Sequence, residues 1–522
     1  MPRLARLSKA HLLLYVSFAA WLLWAAPAPA AERRAALEAA LESIRAGTLQ
    51  AHVDYLADDA LEGRLPGTEG SRRAAEYLRR RLAELELEPA GTDGCYFQPF
   101  PPNYRNVLAH LEGSDPERRH EVVIVGGHYD HVGFGCPRTS RGGIGEIHNG
   151  ADDNASGCSA VLEVAAALTL LDEPPARSIL FAFWDAEELG FHGSKHWRKH
   201  PTLPLEDVAA VVTLDMVGRL RDDELIIFGS RTAAGFRRFL AERNDGPGLR
   251  LRFPWDMRFN SDHYVFFERS IPVLLLHTGI HDDYHTPRDV ASLINSEGMQ
   301  RVARYTFCAV YELAERAERL PFREASRKES EHVRRRRLDR PAEVPDRLGA
   351  GWQQQPAAEA GVRLESVVFD GPAHRAGLRA GDRVLQFAGR AIQSADDLAG
   401  AMLTADSPAE VVVARRGEPE PLRFAAALEE EPWRLGVTWR RDDAEPGTAV
   451  LTYVAPATPA ARAGLRRGDR VYQAGGEDVT DDAEFAERVR EAGPALELLI
   501  ERDGQLQGVT IHLEPPQFRR AA

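Results

Sequence analysis

"VVIVGGHYDH", residues 122–131, is the stretch on which the reading of the first half of the chain turns. Val122 to Val125 make a short, unbroken apolar run, as a strand covered on both faces of a sheet requires. Two glycines follow, and then His128, Asp130 and His131 stand where a turn of Asn or Ser would have served. An isolated His-x-Asp is more often a polar loop than a metal site, so the other segments have to decide between the two.

Three further runs share the texture of the first: "RSILFAFWD" (177–185), "DVAAVVTLDM" (207–216) and "IPVLLLH" (271–277). Between them, "ASGCSAVLEVAAALTLL" (155–171) and "SEGMQRVARYTFCAVYELAERAERL" (296–320) space their apolar residues near 3.6 and predict helices. Strands alternating with helices predict an α/β domain, a largely parallel sheet with helices on both faces, over about 35–320. In such sheets the ligand crevice lies outside the carboxyl ends of the strands. Each strand ends in donors: His128 and Asp130 after the first, Glu187 and Glu188 after the second, Asp215 after the third, and His277, His281 and His285 after the fourth. "NGADDNASG" (149–157) adds Asp152 and Asp153.

Imidazoles and several carboxylates without a thiolate suit zinc, with manganese or cobalt as alternatives. The carboxylates exceed what one closed tetrahedral site needs and suffice for two ions sharing a bridge. H-E-x-x-H, a P-loop and a G-x-S-x-G elbow are absent from the sequence, which leaves metal-activated water as the nucleophile.

The totals bound the rest. At 522 residues, two to four domains are expected, and 44% hydrophobic with 28% charged residues is ordinary globular composition. Lys and Arg number 65 against 79 Asp and Glu, a net charge of −14, which argues against a nucleic-acid partner. Arg3, Arg6 and Lys9, the apolar run Leu12 to Ala26 and Ala28-Pro29-Ala30 predict a cleaved signal peptide over 1–30. A periplasmic or secreted protein with no stable membrane span is the expectation. Of the four cysteines, Cys158 and Cys308 lie in apolar helical patterns and read as buried thiols; if a bridge exists, Cys95 with Cys136 is the expected pair.

In order along the chain, "GGHYDH", "NGADDNASG", "WDAEELGFHGS", "VTLDMVG" and "YHTPRD" resemble the motifs of the co-catalytic dizinc exopeptidases: leucyl aminopeptidases, glutamate carboxypeptidases and glutaminyl cyclases. "LADDALEGRLPGTEGSRRAAEYL" (56–78) is similar to that family's N-terminal segment. The resemblance implies an eight-stranded, mostly parallel twisted sheet between helices and two zinc ions. It assigns His128 and Asp215 to one ion and Glu188 and His285 to the other, with Asp153 bridging before a cis peptide to Asn154. Glu187 becomes the general base for a metal-bridging hydroxide, and Asp130 accepts the second ring N–H of His128. His131, His277 and His281 are expected at the rim or behind the ligands, and Asp262 either behind the site or as a helix cap.

Residues 321–343 carry charge and little hydrophobe and read as a linker, with Arg334 to Arg337 either solvated or in contact with an acidic domain face rather than a nucleic-acid patch. Beyond it the chain repeats: "RLGAGW" at 347 matches "RLGVTW" at 434, and "GPAHRAGLRAGDRV" at 371 matches "TPAARAGLRRGDRV" at 458, both pairs separated by the same interval. Two small modules, 344–428 and 430–515, are expected. They resemble PDZ domains of the bacterial exported-protease type, which implies β-rich folds that take C-terminal peptide tails.

The expected whole is an exported zinc aminopeptidase acting on peptides, with a tethering pair of modules that a chain ending near Leu320 could lose without losing activity. A same-fold carboxypeptidase or cyclase and an inert binding protein of peptidase fold are the alternatives.

Overall fold

The computed structural model describes residues 28–244, 246–338, 345–354 and 360–513. The leader expected over 1–30 therefore lies outside the described residues up to position 27, as do 339–343 at the end of the expected linker and 344 at the start of the first expected module.

The first domain is built on one sheet of nine strands: β1 (Glu88–Pro89), β2 (Phe97–Phe100), β3 (Tyr104–Leu111), β4 (Val122–His128), β5 (Ser178–Trp184), β6 (Val208–Leu214), β7 (Glu224–Phe228), β8 (Arg250–Arg252) and β9 (Val273–His277). Their order is β1-β3-β5-β4-β6-β9-β7-β8, with β2 paired to β3. The neighbours β5, β4, β6 and β9 are all mutually parallel, while β3 joins β5 and β7 joins β9 antiparallel. The largely parallel character expected of the sheet thus belongs to its centre and to the edge pair of β7 and β8, with antiparallel neighbours between and at the other margin. At the β3 margin the chain turns back within three residues between β2 and β3, too short for a parallel crossover.

The four apolar runs are strands because both sides of each are covered. Val123 and Val125 of β4 enter one core with Ile179, Phe181, Phe183, Val212 and Leu214. Val122 and Ile124 enter the other with Leu180, Trp184, Val211 and Val273. Helices α1 (Ala28–Ser43), α2 (Ala46–Leu56), α3 (Glu69–Glu84), α4 (Gly157–Thr169) and α8 (Ser296–Glu315) contribute to the first core, and α5 (His192–Lys199) and α7 (His263–Phe267) to the second. A further helix, α6 (Phe236–Glu242), precedes the edge strand β8. Among the described residues no helix is long and apolar enough to cross a membrane.

Each repeat folds as a small antiparallel sheet with one main helix, Ala395–Thr404 in the first and Asp482–Glu491 in the second. The repeated "RL" has a structural cause. Arg347 is wholly buried and donates to the carbonyls of Met402, Leu403 and Ala405 at the end of its helix, and Arg434 donates likewise to Val489, Arg490 and Ala492. Each arginine satisfies helix-terminal carbonyls that have no partner within the helix.

Two expectations are corrected here. The charged stretch after residue 320 is not a free linker over its described length: Glu324–Lys328 forms a 3₁₀ turn and Glu331–Leu338 forms α9. Glu329, between them, is buried and bonds Arg231 and Arg323 at 2.7–2.8 Å. Arg231 also reaches Asp442 of the second repeat at 2.6 and 2.7 Å, and its guanidinium lies 3.5 Å from the Trp255 ring centre. Arg237 pairs with Glu501, and the backbone N–H of Leu251 in β8 donates to Asp503. The second repeat is therefore docked on the first domain. The other correction is chemical, since all four cysteines are free. Cys95 lies in the turn before the outer strand β2, whereas the Cys136 loop is bonded to the loop after β9, Arg141 N–H to the His285 carbonyl at 2.9 Å.

Candidate metal centre

Because β5, β4, β6 and β9 are parallel, their carboxyl ends open on one edge. The strands approach closely there through the glycine pair. A Cβ on Gly126 would lie 2.4 Å from the Ala182 carbonyl oxygen, and one on Gly127 2.8 Å from that of Leu214. His128 is the last residue of β4, Glu187 and Glu188 follow β5, Asp215 follows β6, and His285 is on the loop beyond β9. Asp153 comes from the turn that opens α4, and its peptide bond to Asn154 is cis.

Two groups of donors result. His128, Asp153 and Asp215 form one; His131, Asp153, Glu188 and His285 form the other, and Asp153 belongs to both. His128 Nε2 is 3.3 Å from Asp153 Oδ1 and 3.6 Å from Asp215 Oδ1. His285 Nε2 is 2.9 Å from Asp153 Oδ2 and 3.2 Å from Glu188 Oε1. Close as they are, Asp153 Oδ2, Glu188 Oε1, His285 Nε2 and both ring nitrogens of His131 are buried without a hydrogen bond. Buried donors and acceptors of a folded protein almost always find partners. Atoms that converge and stay unpaired are the arrangement a divalent ion completes, so the residues fit two ions sharing one carboxylate. The field agrees. Burial opposes charge on His285, but Asp153 and Glu188 outweigh it and raise its imidazole to about 11.

The surroundings orient these donors. His285 Nδ1 is 2.5 Å from the Thr139 carbonyl, and Tyr284 stacks on the ring with centroids 3.8 Å apart. Asp130 meets the His128 ring through its own carbonyl, 3.2 Å from Nδ1, with its carboxylate at 3.6 Å. That carboxylate accepts instead from the backbone N–H groups of Glu187 and Glu188, at 3.0 and 3.2 Å. The carboxylate therefore places the acidic pair, while the carbonyl of the same residue faces the imidazole. Glu187 Oε2 stands 4.0 Å from His128 Nε2, outside both donor groups. Burial raises its carboxyl well above the usual range; His128 opposes the rise, and the carboxylates of Glu188, Asp262 and Asp215 add to it.

The remaining candidates fall in different places. His131, expected at the rim or behind the ligands, is wholly buried with Nδ1 2.9 Å from Glu188 Oε1. His281 bonds Asp152 at 3.1 Å, and His277 is buried at the end of β9. Asp262 does not cap α7; it accepts from Ser194, and burial brings its carboxyl to about 7. Asp289, the last residue of "YHTPRD", carries a role that the sequence reading did not assign to it. Its carboxylate accepts from the backbone N–H groups of Asp152 and Asp153 at 3.0 Å and so holds the turn that presents Asp153.

An α/β domain with a histidine–carboxylate metal centre at the carboxyl ends of its parallel strands is the class defined by this fold and site. Residues 106–310 match peptidase family M28, and residues 363–415 and 450–502 each match the PDZ domain. The chain carries a peptidase family M28 domain followed by two PDZ domains. It is 28% identical over 273 residues to leupeptin-inactivating enzyme 1 of Streptomyces exfoliatus, covering 50% of this chain and 57% of that protein. With aminopeptidase YwaD of Bacillus subtilis it shares 30% identity over 204 residues, 37% of this chain and 41% of the relative. The match thus spans about half the length of these relatives. Among solved structures, the Legionella LapA structure aligns with TM-score 0.45 and 22% identity over 54% of this chain and 76% of that one. The zinc aminopeptidase BSAP of Bacillus subtilis aligns with TM-score 0.43 and 18% identity, over 54% and 98%.

Proposed function

We propose that this chain is an exported, zinc-dependent aminopeptidase that hydrolyses the N-terminal peptide bond of peptides. The observation that carries the reading is the pair of donor groups sharing Asp153, with the converging atoms of Asp153, Glu188, His285 and His131 left without hydrogen bonds and Glu187 4.0 Å from His128. Relatives named aminopeptidases support the substrate class. The leader-like residues 1–30 support export to the periplasm or beyond.

In this reading His128 and Asp215 hold one zinc ion, Glu188 and His285 the other, and Asp153 both. Bound there, the ions supply Lewis acidity toward a carbonyl oxygen and toward water. The chain supplies the rest. Glu187 takes the proton of the attacking water and returns it to the leaving amine, base and then acid; its buried, raised carboxyl suits both roles. Asp130 holds Glu187 and Glu188 by their backbone N–H groups, which fixes the distance between proton carrier and ligand. The PDZ domains offer a second grip on long substrates or take C-terminal peptide tails.

Metal analysis joined to a paired substrate panel tests the reading. Two zinc ions per chain are expected, with cleavage of leucyl amides and none of their N-acetylated forms. Cleavage of blocked peptides from the C-terminus would make the protein a carboxypeptidase. One ion with cyclisation of N-terminal glutamine would make it a cyclase, and two ions without turnover a binding protein.

A further inference from the structure

The metal centre is acidic, but beside it the surface changes sign. A cleft of about 440 Å³ begins at His277 and Thr278, at the end of β9, and is lined by Arg221, Arg250, Arg252 and Arg258. A second cleft, of about 600 Å³, shares the last three of these and continues between β8 and the docked PDZ domain to Arg466 and Arg467. The two form one trough from the edge of the metal centre to the second PDZ domain. Arg252 is paired with Glu224 at 2.9 Å. Among the described residues Arg250, Arg258 and Arg466 form no ion pair, although the whole chain carries a net charge of −14. Each cleft has the volume of an ordinary ligand pocket, and guanidinium groups without carboxylate partners are built to take carboxylates in two-point contacts.

We propose that this trough binds the acidic part of a peptide substrate, so that the enzyme favours peptides whose residues beyond the cleaved bond carry Asp or Glu. The direction, with the first residue at the metals and the remainder along the trough, rests on the aminopeptidase reading; the binding of acidic peptide does not. A peptide fits better than a nucleic acid because Asp222, Glu224, Asp469 and Asp503 stand among the arginines. Carboxylates spaced along a peptide avoid them, whereas a phosphate at every nucleotide meets them. The docked PDZ domain then has a use besides gripping a tail, since it supplies one wall of the trough.

The test uses the full chain carrying Glu187→Gln, so that binding is read without turnover. Three fluorescently labelled peptides share the start Leu-Gly-Gly and end in four Glu, four Gln or four Lys. Anisotropy titrations should give a dissociation constant roughly tenfold or more lower for the Glu peptide than for the Gln peptide, a gap that 0.5 M NaCl closes. Arg250→Gln with Arg258→Gln should abolish the gap as well. In the otherwise native chain the same pair should raise KM for the Glu peptide and leave turnover of leucyl p-nitroanilide unchanged, which separates a lost trough from a lost fold. Equal binding of the three peptides, or a preference that survives the double substitution, overturns the proposal. So does an oligonucleotide that displaces the Glu peptide at lower concentration than its unlabelled form. If the Glu peptide binds as described but leucyl substrates are not cleaved, the trough stands and the aminopeptidase reading falls.

Discussion

Glu187 and Glu188 are neighbours in sequence but stand differently in the site, since Glu188 lies within a donor group while Glu187 lies outside both, 4.0 Å from the His128 ring, and the proposed function gives them different work. Glu187→Gln should therefore keep both metals by elemental analysis and lower kcat by roughly 10²-fold or more, because a proton carrier is lost and no ligand is. Loss of metal instead would mean that the two roles are exchanged. Asp289→Ala should act in the opposite sense. It removes the acceptor for two backbone N–H groups under Asp153, so chelator competition should show metal held about 10–100-fold more weakly in a chain that still folds. The difference between these residues is also the difference between what the sequence disclosed and what it hid. His128, Glu188 and Asp215 could be read because each sits at a strand end within a few residues of an apolar run. Asp289 could not, since its partners are 136 and 137 positions away and nothing in "TPRD" distinguishes a carboxylate that holds a turn from one in solvent. His131 stayed open between the rim and the interior for a related reason: sequence places it one residue past Asp130 but does not say that the loop turns its ring inward.

Among the elements, the β4, β5, β6 and β9 strands were legible as unbroken apolar runs because they are covered on both faces, whereas β8, with Arg250 and Arg252 outward at the sheet edge, carries no such run. The segment after residue 320 reads as solvated because charge usually means solvent. Here three charges, Arg231, Glu329 and Asp442, are buried together. Breaking such a set by removing one member costs more than replacing the whole set with apolar side chains. Arg231→Leu should cost about 3–5 kcal/mol in denaturant unfolding of the full chain, and Leu at all three positions should cost markedly less. The same set fixes an acid limit. Burial pushes both carboxyls up, but Arg323 and Arg231 outweigh it at Glu329 and Arg231 does so at Asp442, holding each at about 2 against 4.5 and 3.8 ordinarily. Groups whose pKa falls on folding stabilise fully above the ordinary value and lose that contribution as pH drops through the folded one. The interface should hold above pH 4.5 and loosen toward pH 2. Exchange protection of the Leu251 N–H, corrected for its intrinsic rate, measures this.

At the scale of the molecule, a chain ending at Leu320 keeps every donor of the metal centre but loses Glu329, Asp442, Glu501 and Asp503, each of which bonds the first domain. The repeats were legible as modules from their own period. Their docking was not, because the contacts pair residues far apart in sequence, such as Arg231 with Asp442. The shortened chain should still bind metal and turn over leucyl amides in the cold, with Tm lower by about 10 °C through the stranded Arg231. It should also behave differently as a solute. The Leu251 N–H that meets Asp503 belongs to β8, the last strand on its side of the sheet. Uncovering that margin exposes an unpaired backbone edge of the kind that recruits another strand. The shortened protein should therefore associate edge to edge as its concentration rises, with light scattering that climbs while the full chain stays monodisperse. In that sense the second PDZ domain keeps the first domain's sheet from adding a neighbour's strand to its own.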